Sequence, residues 1–349
     1  MQIEPNHVTR PHRSTNGFVK WPMYLLLMAV MATLPVMAEE RRVLVIHSYN
    51  QELFWVREVS RGIESILGPE AHLEFYYLDT KRLSPKLFEL AAGRALAAYR
   101  SLQPDLVILV DDNALTLLGE TIAVETPVVF CGINGDLRSK YQWVVNHPNV
   151  TGVLERPMIR RTIVESMKAM GVEVERVMVL LGQSPTAEAF FATDLNGQSR
   201  IAIGQGLQAD VYKSGRLSDW QNWLDQSVDM GYGLILAAAF QTVADDQGQP
   251  LGGDKLSRWL SQASPIPVIT VHEEFISLQA LMGGMVIDGD KMGVDAAVMA
   301  RAILNDGQSP GAIPIEYENR GTLIFSRKQL EKWHLAITPR YKGQVKLLY

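Results

Sequence analysis

VLVIHSYNQELFWVREVSRGIES, residues 43–65, decides the fold. Its first part, Val43 to Tyr49, is a short and mostly apolar run of the kind that forms a parallel strand covered on both faces. Its second part places Val56, Val59, Ile63 and Ile66 at spacings of three and four, the apolar stripe of an amphipathic helix. The strand–helix pair repeats downstream. HLEFYYLDT (72–80) is rich in β-formers. Ser84-Pro85 then supplies an N-cap and a proline at the first helical position, opening a helix to about Ser101. LVILVDDN (106–113) predicts a third strand, residues 114–122 a short helix, and PVVFCGIN (127–134) a fourth strand. This βαβαβαβ order dictates a parallel, doubly wound sheet.

After a Pro/Asn-rich connection and Gly152-Val153-Leu154-Glu155 the alternation restarts. It predicts a helix over 159–170, the strand VMVLLG (177–182), a helix over 186–204 and the strand ADVYK (209–213). A helix around 217–229, the strand GLILAAAF (233–240), a helix over 254–263 and PVITVHEEF (267–275) complete a second set. The expected class is α/β, with two lobes of comparable size.

Composition fits that reading. The chain has 349 residues, 47% hydrophobic, enough for about two globular units. Its single Cys excludes an internal disulfide framework and a Cys-cluster metal site. A net charge of −5 with no basic block argues against nucleic acid as a partner. Residues 1–38 read as an export signal: Arg10, Arg13 and Lys20, then the apolar run MYLLLMAVMATL (23–34), then Val36-Met37-Ala38 as a cleavage site. That run rises only about 18 Å as a helix, short of the roughly 30 Å needed to span a bilayer. Periplasmic location is therefore expected, and it makes chemistry driven by ATP or NAD unexpected.

In open α/β sheets, ligands bind beyond the carboxyl ends of the strands, near the point where strand order reverses. The strand ends here read His47-Ser48-Tyr49-Asn50, Asp79-Thr80, Asp111-Asp112-Asn113, Cys131-Gly132-Ile133-Asn134 and His272-Glu273-Glu274. Tyr49, Trp55 and Phe240 lie close enough in sequence to line a cleft. Helix N-termini beyond these loops suit a carboxylate, and the acidic loops suit an ammonium group. Together they suit a zwitterion such as an amino acid. The same Asp and Asn residues would serve equally as turn and cap residues. Asp111-Asp112-Asn113 is no expected metal site, because three adjacent residues cannot all point at one ion. No G-x-S-x-G, H-E-x-x-H, Walker or G-x-G-x-x-G motif occurs, so no catalytic residue or cofactor is expected. The enzymatic reading that survives is an exported hydrolase using Asp111 and Glu155 as acid and base. His47 and His272 could meet in a cleft, and Cys131 reads as a small buried hydrophobe.

The chain resembles the substrate-binding proteins of ABC transporters with the type I periplasmic-binding-protein fold, specifically the group related to tryptophan/tyrosine binders. The resemblance spans about residues 42–336 and rests on the 43–65 stretch, ILVDDNAL (108–115), PVVFCGINGD (127–136) and VTGVLE (150–155). GVDAAVMARAILNDGQSPGAIPI (293–315) looks like the family's closing helix and strand, and FSRKQLEKWHL (325–335) like its C-terminal signature. It implies two Rossmann-like lobes joined by three crossovers, lobe 1 being 39–155 plus 286–316 and lobe 2 being 156–285 plus 317–349. Carried over by position, Ser48, Tyr49, Trp55, Asp111, Asp112, Asn113, Cys131, Gly132, Asn134 and Glu155 line the lobe 1 side of a ligand cleft. Gln183, Ser184, Thr186, Phe240 and Glu273 would face them. The implied role is a monomeric solute-binding protein that captures an amino acid or related polar metabolite for an ABC permease. The HSY…W and DDNA versions are similar to members used as sensor modules, which gives the alternative of docking onto a membrane histidine kinase or diguanylate cyclase. The loop 50–55 is bulkier and more acidic than in the amino-acid binders, so the resemblance leaves the ligand open.

Overall fold

The computed structural model describes residues 41–349 apart from 157, 205, 278, 319 and 320; the segment read as an export signal lies outside the described residues. Six parallel strands form the first sheet: β1 (Arg41–His47), β2 (Ala71–Tyr77), β3 (Leu106–Val110), β4 (Val128–Ile133), β5 (Val150–Glu155) and β12 (Glu316–Glu318). Their order is β12-β5-β4-β3-β1-β2. The chain leaves β1 toward one edge and returns to β3 on its other side, so strand order reverses between β1 and β3. Val43, Val45, Ile108, Val129 and Val153 face one layer of helices, whereas Leu44, Ile46, Leu109 and Phe130 face the other. Burial on both faces is why these strands read as continuous apolar runs. The 54–67 helix buries Val56, Val59, Ile63 and Leu67, and the long Gly289–Asp306 helix packs beside it.

The second sheet runs β10-β9-β6-β8-β7, from β6 (Arg176–Leu181), β7 (Arg200–Gly204), β8 (Leu207–Lys213), β9 (Leu234–Ala238) and β10 (Val268–Thr270). Here one expectation fails. The helix expected over 186–204 stops at Thr193, and β7 pairs antiparallel with β8 at the sheet edge. Asn196 and Gly197 both take positive φ, at 52° and 66°, which ends the helix, and the alternating Arg200-Ile201-Ala202-Ile203 then turns Ile201 inward. A small third sheet, β11 (Gly283–Val286), β13 (Thr322–Ser326) and β14 (Val345–Leu348), adds Met285, Leu323 and Phe325 to the core under β6 and β9.

Two α/β lobes result, and the chain crosses between them three times: after β5, between β11 and the 289–306 helix, and between β12 and β13. Pairing of β12 with β5 carries the first lobe through Glu318. The crossovers touch one another. Gly321 has φ 54°, and a Cβ there would sit 2.6 Å from Met158 and 2.7 Å from Met285, so the third crossover packs on the other two. Asp288 accepts hydrogen bonds from the Lys291 amide at 3.2 Å and the Thr322 hydroxyl at 2.8 Å, tying the second crossover to the third. Arg156 donates to the carbonyl oxygens of Ile133 and Glu155 at 3.2 and 2.8 Å, and its guanidinium lies 5.3 Å from the centre of the Tyr317 ring.

Candidate functional site

The carboxyl ends of β1, β3, β4 and β5 bring Tyr49, Asp111, Gly132, Asn134 and Glu155 together. Register does most of this. Ser48 donates from both its amide and its hydroxyl to the Val110 carbonyl, at 3.0 and 2.8 Å, so Tyr49 and Asp111 leave adjacent strands side by side. The Asp111 amide donates to the Cys131 carbonyl at 2.9 Å and fixes the next step across the sheet. Between the two acids stands Gly132, at φ 71°, where a Cβ would meet Trp55 at 3.4 Å and Asp111 Oδ1 at 3.6 Å. A side chain there would crowd the Trp55 ring and the Asp111 carboxylate. Asp111 itself has φ 68°, a conformation that non-glycine residues adopt at a cost of order 1 kcal/mol or more and that concentrates at functional sites.

This wall is buried and under-satisfied. Asp111 is 5% exposed and Glu155 8% exposed. Burial pushes the Asp111 carboxyl up to about 7; Asp112 adds to the rise, while the Lys81 charge and the Trp55 indole N–H oppose it. Burial likewise pushes Glu155 up to about 8, with the Asp111 charge adding and the Asn134 amide and Lys81 opposing. Tyr49 is raised by burial and then by Asp111, Asp112 and Glu155, and the Cys131 thiol by burial and then by Asp111 and Glu155. Trp55 Nε1 and Asp111 Oδ2 lie on facing groups, yet neither completes a hydrogen bond, and Asn134 Oδ1 is also buried without a partner. A donor, a carboxylate oxygen and an amide oxygen left unpaired in one place are costly unless something fills the space. Trp55 packs against the apolar clusters of both lobes, so the wall lies at the lobe junction.

Other expected site residues do different work. Ser48 spends its hydroxyl on Val110 and on the Ala114 amide. Asp112 is saturated: it accepts from the Asn134 and Gly135 amides, from Lys140 Nζ at 3.0 Å and from the Tyr141 hydroxyl at 2.6 Å. Asn113 donates to the Thr80 hydroxyl at 2.9 Å, and Cys131 is buried within β4. In the second lobe, Phe240 is fully buried among Trp220, His272 and Phe275. Ser184 caps the Pro185–Thr193 helix by accepting from the Ala187 amide, Thr186 is half-buried, and Gln183 is exposed. Glu273 pairs with Lys346 at 2.9 Å. His47 and His272 do not meet. The first stacks on Tyr77 with Nε2 against the Ser60 hydroxyl, whereas the second accepts from the Ala239 amide and stacks on Phe190. Burial holds both imidazoles below their ordinary range, His47 at about 3.

Lys81 escaped the sequence reading. Its Nζ lies 4.1 Å from the centre of the Tyr49 ring, and its charge acts on Asp111, Glu155 and, across the cleft, His272. In the sequence it looks like a solvated turn residue after Asp79-Thr80. The usable signal is its place immediately after a strand end.

With this geometry in hand, comparison identifies the fold as that of the type I periplasmic binding proteins. A ligand-free, open substrate-binding protein with adhesive properties from Clostridium difficile is similar at TM-score 0.64 and 12% identity, over 88% of this chain and 99% of that one. A conserved domain protein from Vibrio cholerae matches at TM-score 0.61 and 16% identity, over 88% and 99%. An ABC domain from Streptococcus pneumoniae in complex with L-Trp matches at TM-score 0.60 and 16% identity, over 88% and 100%. No protein-family model matches the chain, and no curated protein matches it.

Proposed function

We propose that the protein is a periplasmic solute-binding protein that holds a small amine-bearing metabolite, an amino acid or a close relative, between its two lobes. The observation that carries this reading is the buried wall of Asp111 and Glu155, flanked by the unpaired Trp55 N–H and Asn134 carbonyl. An ammonium group between the two acids would supply a compensating charge and N–H donors for the unpaired Asp111 Oδ2 and Asn134 Oδ1. Tyr49 and Trp55 would offer ring faces to the same cation and to an apolar side chain. The three packed crossovers form a hinge about which the lobes would close on the ligand. The substrate-binding and L-Trp-bound proteins of the same fold support a binding role over the hydrolase reading of the acid pair. The export signal and delivery to an ABC permease complete the proposal.

A thermal-shift screen of amino acids and biogenic amines tests it. At a hundredfold excess over Kd, a bound ligand contributes about 2.7 kcal/mol, or roughly 5 °C or more in Tm for a protein of this size. A screen in which no amine-bearing compound raises Tm would remove the proposal.

A further inference from the structure

We propose that Lys81 is the specificity-determining residue of this cleft: it takes the carboxylate of a ligand whose ammonium lies between Asp111 and Glu155, so that zwitterions are selected over the corresponding amines. The inference rests on the binding role argued above and deepens it.

Lys81 is held in place by its neighbour. Thr80 donates to the Ser48 carbonyl from its amide at 2.9 Å and from its hydroxyl at 2.7 Å, and it accepts from Asn113. Lys81 therefore leaves the chain beside Tyr49, the residue after Ser48, and settles over the Tyr49 ring. That contact leaves the three N–H groups of the ammonium without a hydrogen-bond partner among the described residues. Neighbouring cations are committed. Arg82 binds Asp79 and Glu52, Lys140 binds Asp112, and Arg156 is turned onto backbone carbonyls. Across the cleft, Lys346 is paired with Glu273 and Lys213 with Glu188. Lys81 acts on both walls without pairing with either: its charge favours the ionised forms of Asp111 and Glu155 and disfavours protonation of His272.

Acids near Tyr49 and an uncommitted cation over its ring make a site with a dipole. A zwitterion satisfies both ends. An amine of the same shape satisfies the acids but adds a second positive charge close to Lys81, whose side chain is otherwise exposed.

The test is calorimetric titration with matched pairs: L-tryptophan and tryptamine, L-tyrosine and tyramine, L-leucine and isoamylamine. For the pair that binds, the wild type is expected to hold the amino acid at least tenfold more tightly than the amine. Lys81→Met should weaken the amino acid by roughly tenfold and leave the amine unchanged or tighter. Lys81→Arg should restore the preference. Equal losses for both members, or an unchanged ratio with binding intact, would overturn the role of Lys81 while leaving the acid pair as the amine site. If no member of any pair binds the wild type, the binding role fails and this inference fails with it.

Discussion

The two walls of the cleft are built from the same kind of strand end, yet only one is chemically unfinished. In the first lobe, Tyr49, Asp111, Asn134 and Glu155 converge with buried polar atoms unpaired. In the second lobe the buried or charged counterparts are already satisfied: Phe240 by its apolar neighbours, His272 by the Ala239 amide, Glu273 by Lys346 and Ser184 by its own helix. The difference teaches where a ligand would be recognised on the proposed reading: at the first lobe, whose polar groups are left unpaired, rather than at the second, whose groups are already satisfied. Substitutions should separate the two walls cleanly.

The largest effect is expected on stability, in the second lobe. Phe240→Ala should cost about 3–5 kcal/mol in denaturant unfolding, as for other fully buried Phe side chains, with the ligand Kd moved less than about threefold. A large loss of affinity at constant stability would make Phe240 part of the binding wall and break the comparison. Next comes Asp111→Asn, which keeps a residue tolerant of φ 68° and removes the charge. Ligand affinity should fall about a hundredfold or more, measured by calorimetry. A change under threefold would detach the acid from recognition.

The third effect is on pH dependence. Asp111 and Glu155 hold their protons more tightly in the folded protein, at about 7 and about 8, than carboxyl groups do in an unfolded chain. Between roughly pH 4 and 8 the unfolded state therefore releases protons that the folded state keeps. Below about pH 6.5, His47 and His272 act in the opposite sense, because the unfolded state takes up protons that the buried imidazoles refuse. Stability of the ligand-free protein should therefore fall as pH rises from about 6.5 to 8 and level off above it. Asp111→Asn should flatten that slope; an increase of stability between about pH 6.5 and 8 would contradict the burial of the pair. Smaller again, Gly132→Ala should cost about 1–2 kcal/mol for its left-handed backbone and weaken the ligand about tenfold by filling the gap beside Trp55 and Asp111. Smallest is Glu273→Gln, whose partly exposed ion pair with Lys346 should be worth under about 1 kcal/mol, with no change in affinity.

Much of the fold was legible because both sheets are parallel and buried on both faces, so strands such as 106–110 and 234–238 stand out as apolar runs. Over 186–204 the sequence suggests one helix because the connection between the Pro185–Thr193 helix and β7 is only residues 194–199, with the Asn196-Gly197 turn its one strong break signal. In the candidate site, Asp111 and Glu155 were legible as acids at strand ends. What was not legible is which of two adjacent acids is free. Asp112 is saturated by Lys140 and Tyr141, which a loop returns from far along the chain. Phe240 illustrates the same limit: Ala239 takes φ 48°, and that turn sends the ring into the core where strand periodicity alone leaves its direction open. Lys81 needed the fold, because its meaning comes from the Tyr49 ring beneath it.

The central claim is that a ligand ammonium replaces a proton on the Asp111–Glu155 pair. Its most direct test is the number of protons released when the tightest amino acid found in the screen binds at pH 7, obtained from binding enthalpies in buffers of different ionisation heat. The account predicts release of roughly one proton, lost in the Asp111→Asn, Glu155→Gln double variant. Binding with no proton released, or with a proton taken up, would contradict it.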